Sequence, residues 1–251
     1  MITLQNVSKK YGSLLAVDDL NLKADRELFV FLGPNGAGKT TTIKMMTGQL
    51  IPTSGSILID GHDLLHDPLR AKQSFGLVSE HPFLYEKLSA VEFIDFIASV
   101  YRISPPEVNK RRERLFEIFE LTHRQHELLE TFSRGMKQKV ALVAALIHDP
   151  KVLFLDEPTT GLDPKAAKNL KDLLRGLVGR GTTVFMSTHI LEVAQNMCDR
   201  IGIIHRGRLI ALGTFAELKK NVSHVDSLEE IFLDLTGSSS ETDIDRFLQG
   251  I

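Results

Sequence analysis

Gly33-Pro34-Asn35-Gly36-Ala37-Gly38-Lys39-Thr40 fits the pattern G-x-x-x-x-G-K-[ST], and the reading of the chain turns on it. Glycines let the backbone curl so that successive N–H groups point inward at phosphate oxygens. A helix starting at that point faces the anion with its positive end. Lys39 is placed to reach the β- and γ-phosphates of a nucleotide, and the Thr40 hydroxyl to ligate Mg²⁺. The flanks agree: residues 29–32 predict a strand directly before the loop, and residues 41–47 a helix directly after it. A glycine turn with an idle lysine explains neither flank.

Such a loop works with a second acidic element. Val152-Leu153-Phe154-Leu155-Asp156-Glu157 supplies four apolar residues and then two carboxylates at a strand tip. By itself a strand ending in Asp-Glu is often a solvated turn; downstream of a phosphate loop it reads differently. Asp156 is expected to hold Mg²⁺, directly or through water. Glu157 is expected to take the proton from water attacking the γ-phosphate, a role worth about 10²–10⁴-fold in rate.

Further apolar runs of strand length end at residues with chemical potential. Residues 56–60 stop at Gly61, 75–79 at Glu80, and 182–186 shortly before His189. Residues 201–204 and 208–211 are split by Arg206-Gly207, a hairpin-like break. Runs without polar alternation predict strands buried on both faces, as in a parallel sheet covered by helices. The class is therefore α/β. From about Ser89 to Ile147 the pattern turns helical: Val91, Ile94, Phe96, Ile97 and Val100 space as one helix face, Pro105-Pro106 interrupts, and Val108, Leu115, Ile118 and Phe119 resume it. This divides the chain into a core of about 1–85 and 148–220, a helical insertion of about 86–147, and a tail at 221–251. In the tail, Ser227 and Glu230 have capping-box spacing ahead of a Leu228, Ile231, Phe232, Leu235 stripe, while 238–245 reads as polar and flexible.

Composition narrows the function classes. The 251 residues are 43% hydrophobic and 25% charged with net charge −2, which argues against a nucleic-acid partner. Cys198 stands alone, so no internal disulfide is possible and a reducing compartment fits; its plain reading is a small buried hydrophobe. Met1 leads straight into an alternating stretch, which predicts no leader peptide. The longest apolar run, residues 140–147, falls far short of the roughly 20 needed to span a bilayer. The run Lys110-Arg111-Arg112-Glu113-Arg114 reads as a solvated helix face rather than a binding patch.

Taken together, the motifs resemble the ATP-binding cassette family, specifically its transporter ATPase subunits, from about Ile2 to Thr236. The elements occur in the family's order: Tyr11, the loop at 33–41, Glu80, Phe132-Ser133-Arg134-Gly135-Met136-Lys137-Gln138, Asp156-Glu157, Thr160-Gly161-Leu162-Asp163, and Ser187-Thr188-His189. The resemblance implies a P-loop NTPase core with a mainly parallel sheet, N-terminal antiparallel β elements and the inserted helices. It implies ATP and Mg²⁺ as ligands, with Gly33, Pro34, Asn35, Gly36, Ala37, Gly38, Lys39, Thr40 and Thr41 around the phosphates. Tyr11 would stack on adenine, and His189 would contact the γ-phosphate and orient water. Ser133 and Gly135 would close on the γ-phosphate held by a second subunit, a copy of this chain or a similar ATPase.

Two departures stand out. Glu80 occupies the position where the family usually has a magnesium-ligating Gln, adding negative charge near a triphosphate. The signature, usually Leu-Ser-Gly-Gly-Gln, here reads Phe132-Ser133-Arg134-Gly135-Met136. Both variants, with the tail, resemble the branch that serves exporter-type permeases made as separate integral-membrane chains. That implies a cytoplasmic protein on the inner face of the membrane, with Pro82-Phe83-Leu84-Tyr85 as a docking surface or, equally, a packed loop. A non-transport cassette ATPase of translation or DNA maintenance is the alternative, though it usually brings tandem cassettes or a coiled coil. A P-loop kinase leaves the signature and His189 unexplained.

Overall fold

The computed structural model describes residues 1–220 and 227–236. The chain opens with β1 (Ile2–Tyr11), β2 (Leu14–Ala24) and β3 (Leu28–Leu32), then α1 (Lys39–Met46), β4 (Ser54–Ile59), β5 (His62–Asp63), α2 (Pro68–Gln73) and β6 (Phe75–Val78). Three helices follow: α3 (Ala90–Val100), α4 (Pro105–Ile118) and α5 (Arg134–Leu146). Alternation then resumes with β7 (Val152–Asp156), α6 (Pro164–Gly179), β8 (Thr183–Thr188), α7 (Leu191–Met197), β9 (Arg200–His205) and β10 (Arg208–Gly213). The helices α8 (Phe215–Lys220) and α9 (Leu228–Thr236) come last.

Two sheets result. One is antiparallel, in the order β2-β1-β4-β5; the other runs β10-β9-β3-β8-β7-β6 and is parallel except for β10 against β9. β3 is buried along its whole length, as its unbroken apolar run predicts. Its alternation sorts the core: Leu28, Val30 and Leu32 join one cluster with the helices of the insertion and α6, while Phe29 and Phe31 join the other, with the antiparallel sheet and α1. Phe185 of β8 sits on the second side, stacked on Phe29 at 5.5 Å between ring centroids. The central sheet is thus filled on both faces, which holds the strand tips carrying Gly33, Asp156 and Thr188 in register.

The helices between 86 and 147 form where the periodicity predicts them, but not with the predicted faces. On α3 the buried residues are Ala90, Phe93, Ile94 and Ala98, whereas Phe96 and Val100 face solvent. On α4 they are Val108 and Phe116, with Phe119 buried just beyond, while Ile118 is exposed. Small alanines complete the α3 stripe, and a period count of large apolar residues overlooks them. Ser89 and Glu92 close a full capping box on α3, and Pro105 occupies the first turn of α4, where its missing N–H costs nothing. The predicted box at Ser227 and Glu230 also forms, with both backbone-to-side-chain bonds at 3.2 Å. The polar stretch 238–245 lies outside the described residues, as does most of the remaining tail.

Candidate functional site

A cleft of about 540 Å³ opens over the phosphate loop. Pro34, Asn35, Gly36, Gly38, Lys39, Thr40 and Thr41 line it, together with Tyr11, Glu80, Glu157 and His189. Gly33 and Ala37 belong to the loop but are buried behind that lining. Gly38 must be glycine on two counts: φ is +111°, and a Cβ there would lie 2.7 Å from the Ala16 carbonyl oxygen. Its carbonyl accepts from Thr42 N–H, so α1 begins directly at Lys39, two residues earlier than the sequence suggested.

Lys39 is nearly buried, at 7% exposure. Its ammonium donates to the carbonyls of Gly33 at 2.6 Å and Pro34 at 3.2 Å, and lies 3.8 Å from Glu157 Oε1. Burial pushes its pKa below the usual lysine value, and the fields of Glu157, Asp156 and Glu80 oppose that shift. The cleft therefore carries an under-compensated cation, which is what an anionic ligand requires.

Glu157 collects the remaining chemistry. His189 Nδ1 lies 2.8 Å from Oε1, and because a carboxylate only accepts, Nδ1–H donates. The Thr188 hydroxyl donates to Oε2 at 3.2 Å. The backbone N–H of Glu157 bonds the Ser187 carbonyl at 3.2 Å. The residue itself adopts φ +49°, a left-handed conformation that non-glycine residues rarely hold and that clusters at functional positions. Asp156 is buried one residue back and accepts from the Ser187 hydroxyl. It does not line the open cleft.

Ser133 and Gly135 are not brought to this cleft. Ser133 is the exposed N-cap of α5, accepting from Met136 N–H at 3.3 Å. The glycine at 135 has a reason inside the chain: a Cβ there would lie 2.6 Å from the Gly161 carbonyl oxygen. Asp163, nearby in sequence, caps α6 by accepting from Ala166 N–H at 2.8 Å. Arg134 leans towards the Glu80 loop, its Nη2 3.4 Å from His81 Nδ1.

Sequence reasoning missed part of the cleft. Leu14, Leu15 and Ala16 wall it beside Tyr11, and the Arg206-Gly207 turn closes another side. That turn was visible as a hairpin break between β9 and β10. Its docking was not: Gly207 N–H donates to the Ala37 carbonyl at 2.9 Å, a contact between distant parts of the chain.

The donor set fits magnesium. Thr40, Glu80 and Asp156 offer hard oxygens, and among the described residues no group of three His, Cys, Asp or Glu side chains could hold a metal unaided. That suits an ion carried largely by nucleotide phosphates and water, with one or two carboxylates from the protein. Glu80→Gln removes one negative charge from this cleft. It is expected to tighten ATP binding by ~3-fold, the value of one charge a few ångströms away at near-aqueous dielectric. Calorimetric titration with ATP and Mg²⁺ checks this; weakened binding would make the Glu80 carboxylate a required ligand.

Comparison with known proteins adds an independent view. The family model described as ABC transporter matches residues 17–160. The daunorubicin resistance ATP-binding protein DrrA3 of Streptomyces coeruleorubidus is 38% identical over 219 residues, covering 87% of this chain and 69% of that protein. The probable multidrug ABC transporter ATP-binding protein YbhF of Escherichia coli (strain K12) is 37% identical over 94% of this chain, which spans 41% of YbhF. Among solved structures, an ATP binding subunit of an ABC transporter superposes with TM-score 0.90 at 33% identity, covering 94% of this chain and 99% of that one. The dimeric post-hydrolysis state of the ATP-binding cassette MJ0796, bound to ADP and Pi, superposes with TM-score 0.78 at 28% identity over 85% of this chain and 98% of that one.

Proposed function

The chain belongs to the ABC transporter family, and from that premise we propose that it is an ATP-hydrolysing motor subunit, peripheral on the cytoplasmic face of a membrane, that powers export through a separate permease. The observation that carries the reading is the meeting of Lys39, Glu157 and His189 in the cleft of the phosphate loop.

Lys39 is engaged by two neutral carbonyls and the Glu157 carboxylate. Phosphate oxygens compete well for that ammonium, since charge-assisted bonds are roughly twice as strong as neutral ones. As Lys39 turns to the β- and γ-phosphates, Glu157 loses its cation and keeps His189 and Thr188 as orienting donors. Its carboxylate is then free to accept the proton of a water attacking the γ-phosphate. Thr40, Asp156 and Glu80 would hold Mg²⁺, which neutralises charge on the β- and γ-oxygens. Tyr11, exposed at the cleft edge beside Leu14, offers a ring face for adenine.

The site is incomplete in one chain. The start of α5, with its exposed Ser133 and positive helix end, would approach the γ-phosphate of a second copy. A mixing experiment tests this. Lys39→Ala loses the loop and Ser133→Arg obstructs the signature, so each variant alone should be inactive. Equal mixtures form some dimers with one intact composite site, and turnover should reappear. Mixtures as inactive as the separate variants would refute the shared site.

Export rests on the relatives, several of which are named for drug resistance and one for Nod factor export. Among the described residues no helix is long and apolar enough to cross a membrane. Phe83, 90% exposed, and Tyr85, packed edge-on against Phe96, present an apolar surface for a permease beside the Glu80 loop, while Leu84 is buried. Copurification from detergent-solubilised membranes with a multi-span partner, lost on Phe83→Asp, is the expected result.

A further inference from the structure

A second hollow, of about 320 Å³, opens between α4, α6 and the turn after α5, away from every residue placed at the nucleotide cleft. Its wall includes Leu115, Leu146, Leu173 and Leu177. Its rim carries Lys110, Arg114 and Arg180. Among the described residues, these three side chains make no hydrogen bond or ion pair. Glu107, also on the rim, pairs with Arg111 at 2.7 Å and lies in the field of Lys110 and Arg114, and Arg111 spends a second donor on the Ile147 carbonyl at 2.9 Å. Asp149 is the other carboxylate at the rim.

A solvated basic face explains the cations but not the leucines between them. The hollow's volume falls at the lower end of the range of about 300–1,000 Å³ typical of small-molecule sites. Guanidinium forks over an apolar floor match a ligand with an anionic head and a short hydrocarbon body. The two walls are fixed relative to each other, because Asn169 on α6 donates to the Ile118 carbonyl at the end of α4 at 3.1 Å. We infer that this hollow binds a small amphipathic anion, with its phosphate or carboxylate head on Arg114 and Arg180 and its alkyl tail on the leucines. The ligand would bridge the helical insertion, which carries α4, and the core, which carries α6.

Octyl phosphate, kept below its micellar concentration, is the probe. Calorimetry should show saturable one-to-one binding, weakened about tenfold or more in Arg114→Ala/Arg180→Ala, the loss expected for charged hydrogen bonds. Octylammonium should not bind. The charge-reversed Arg114→Glu/Arg180→Glu should exchange that preference. Both side chains are exposed, and an unchanged thermal midpoint confirms that the variants fold. The same head chemistry occurs on membrane lipids, so sedimentation with phosphatidylglycerol vesicles forms a second arm. Binding of octyl phosphate assigns a free amphiphile; binding of those vesicles alone, lost in the alanine variant, assigns a lipid. Absence of both, or binding that the variants leave unchanged, overturns the inference and leaves the ATPase reading untouched.

Discussion

Glu157→Gln should still bind ATP while turning it over ~10²-fold or more slowly, the lower bound for losing a positioned general base. The amide keeps the shape of the side chain and its oxygen can still accept from Thr188 or His189. What disappears is the basic oxygen proposed to take the proton from water. The ion pair with Lys39, at 3.8 Å, disappears as well. That second loss makes the prediction sharper, because Lys39 no longer leaves a carboxylate when it turns to phosphate. Removing a negative charge beside the γ-phosphate acts in the same direction. ATP affinity should therefore be equal or tighter, and the ATP-bound dimer should accumulate. Light scattering would show the mass double with ATP and not with ADP. Turnover near wild type would remove Glu157 from its role as base. Slow turnover in a protein that stays monomeric with ATP would keep the base and reject the shared site.

The fold's central features were legible because they are local. An uninterrupted apolar run such as residues 152–155 has one economical solution, a strand buried on both faces, and β7 is buried throughout. The loop at 33–40 carries its own geometry in its glycines and in the helix it starts. The helical insertion was visible in its prolines and its 3.6 period, yet its buried faces were misassigned. Phe96 and Val100 are large and apolar but exposed, because tertiary contacts, not periodicity, chose the Ala90, Phe93, Ile94 and Ala98 stripe. The cleft was legible where motif residues build it and illegible where contacts between distant segments do. Nothing near Gly207 in sequence announces that it bonds Ala37, and nothing near Gly135 announces the carbonyl of Gly161. Glu157's left-handed backbone could not be read either, since the bonds its N–H makes go to Ser187 of the neighbouring strand, far away in sequence.

Lys39→Ala should abolish measurable tight ATP binding without unfolding the protein, and the two halves of that statement have separate physical grounds. The affinity loss follows from removing the one cation buried in the loop. Charged hydrogen bonds contribute about 1.5–3 kcal/mol each, so losing even one or two weakens binding by ~10²-fold. The stability half follows from the direction of the lysine's pKa. Burial lowers it in the folded state, so the unfolded chain binds that proton more tightly. Stability then rises with pH as the window just below the ordinary value of 10.5 is crossed, because the cost of burying the charge is released there. Below that window the cost is present. Alanine removes it, and Glu157 retains His189 and Thr188. The variant should melt at or near the wild-type temperature at pH 7 and lack the wild type's relative gain as pH rises towards 10.5. Equilibrium binding of a fluorescent ATP analogue and thermal melting across that range measure both. Unchanged nucleotide affinity would refute the phosphate-loop reading. Lost affinity accompanied by a collapsed melting temperature would show that Lys39 serves the fold, and the geometry here argues that it serves the phosphate.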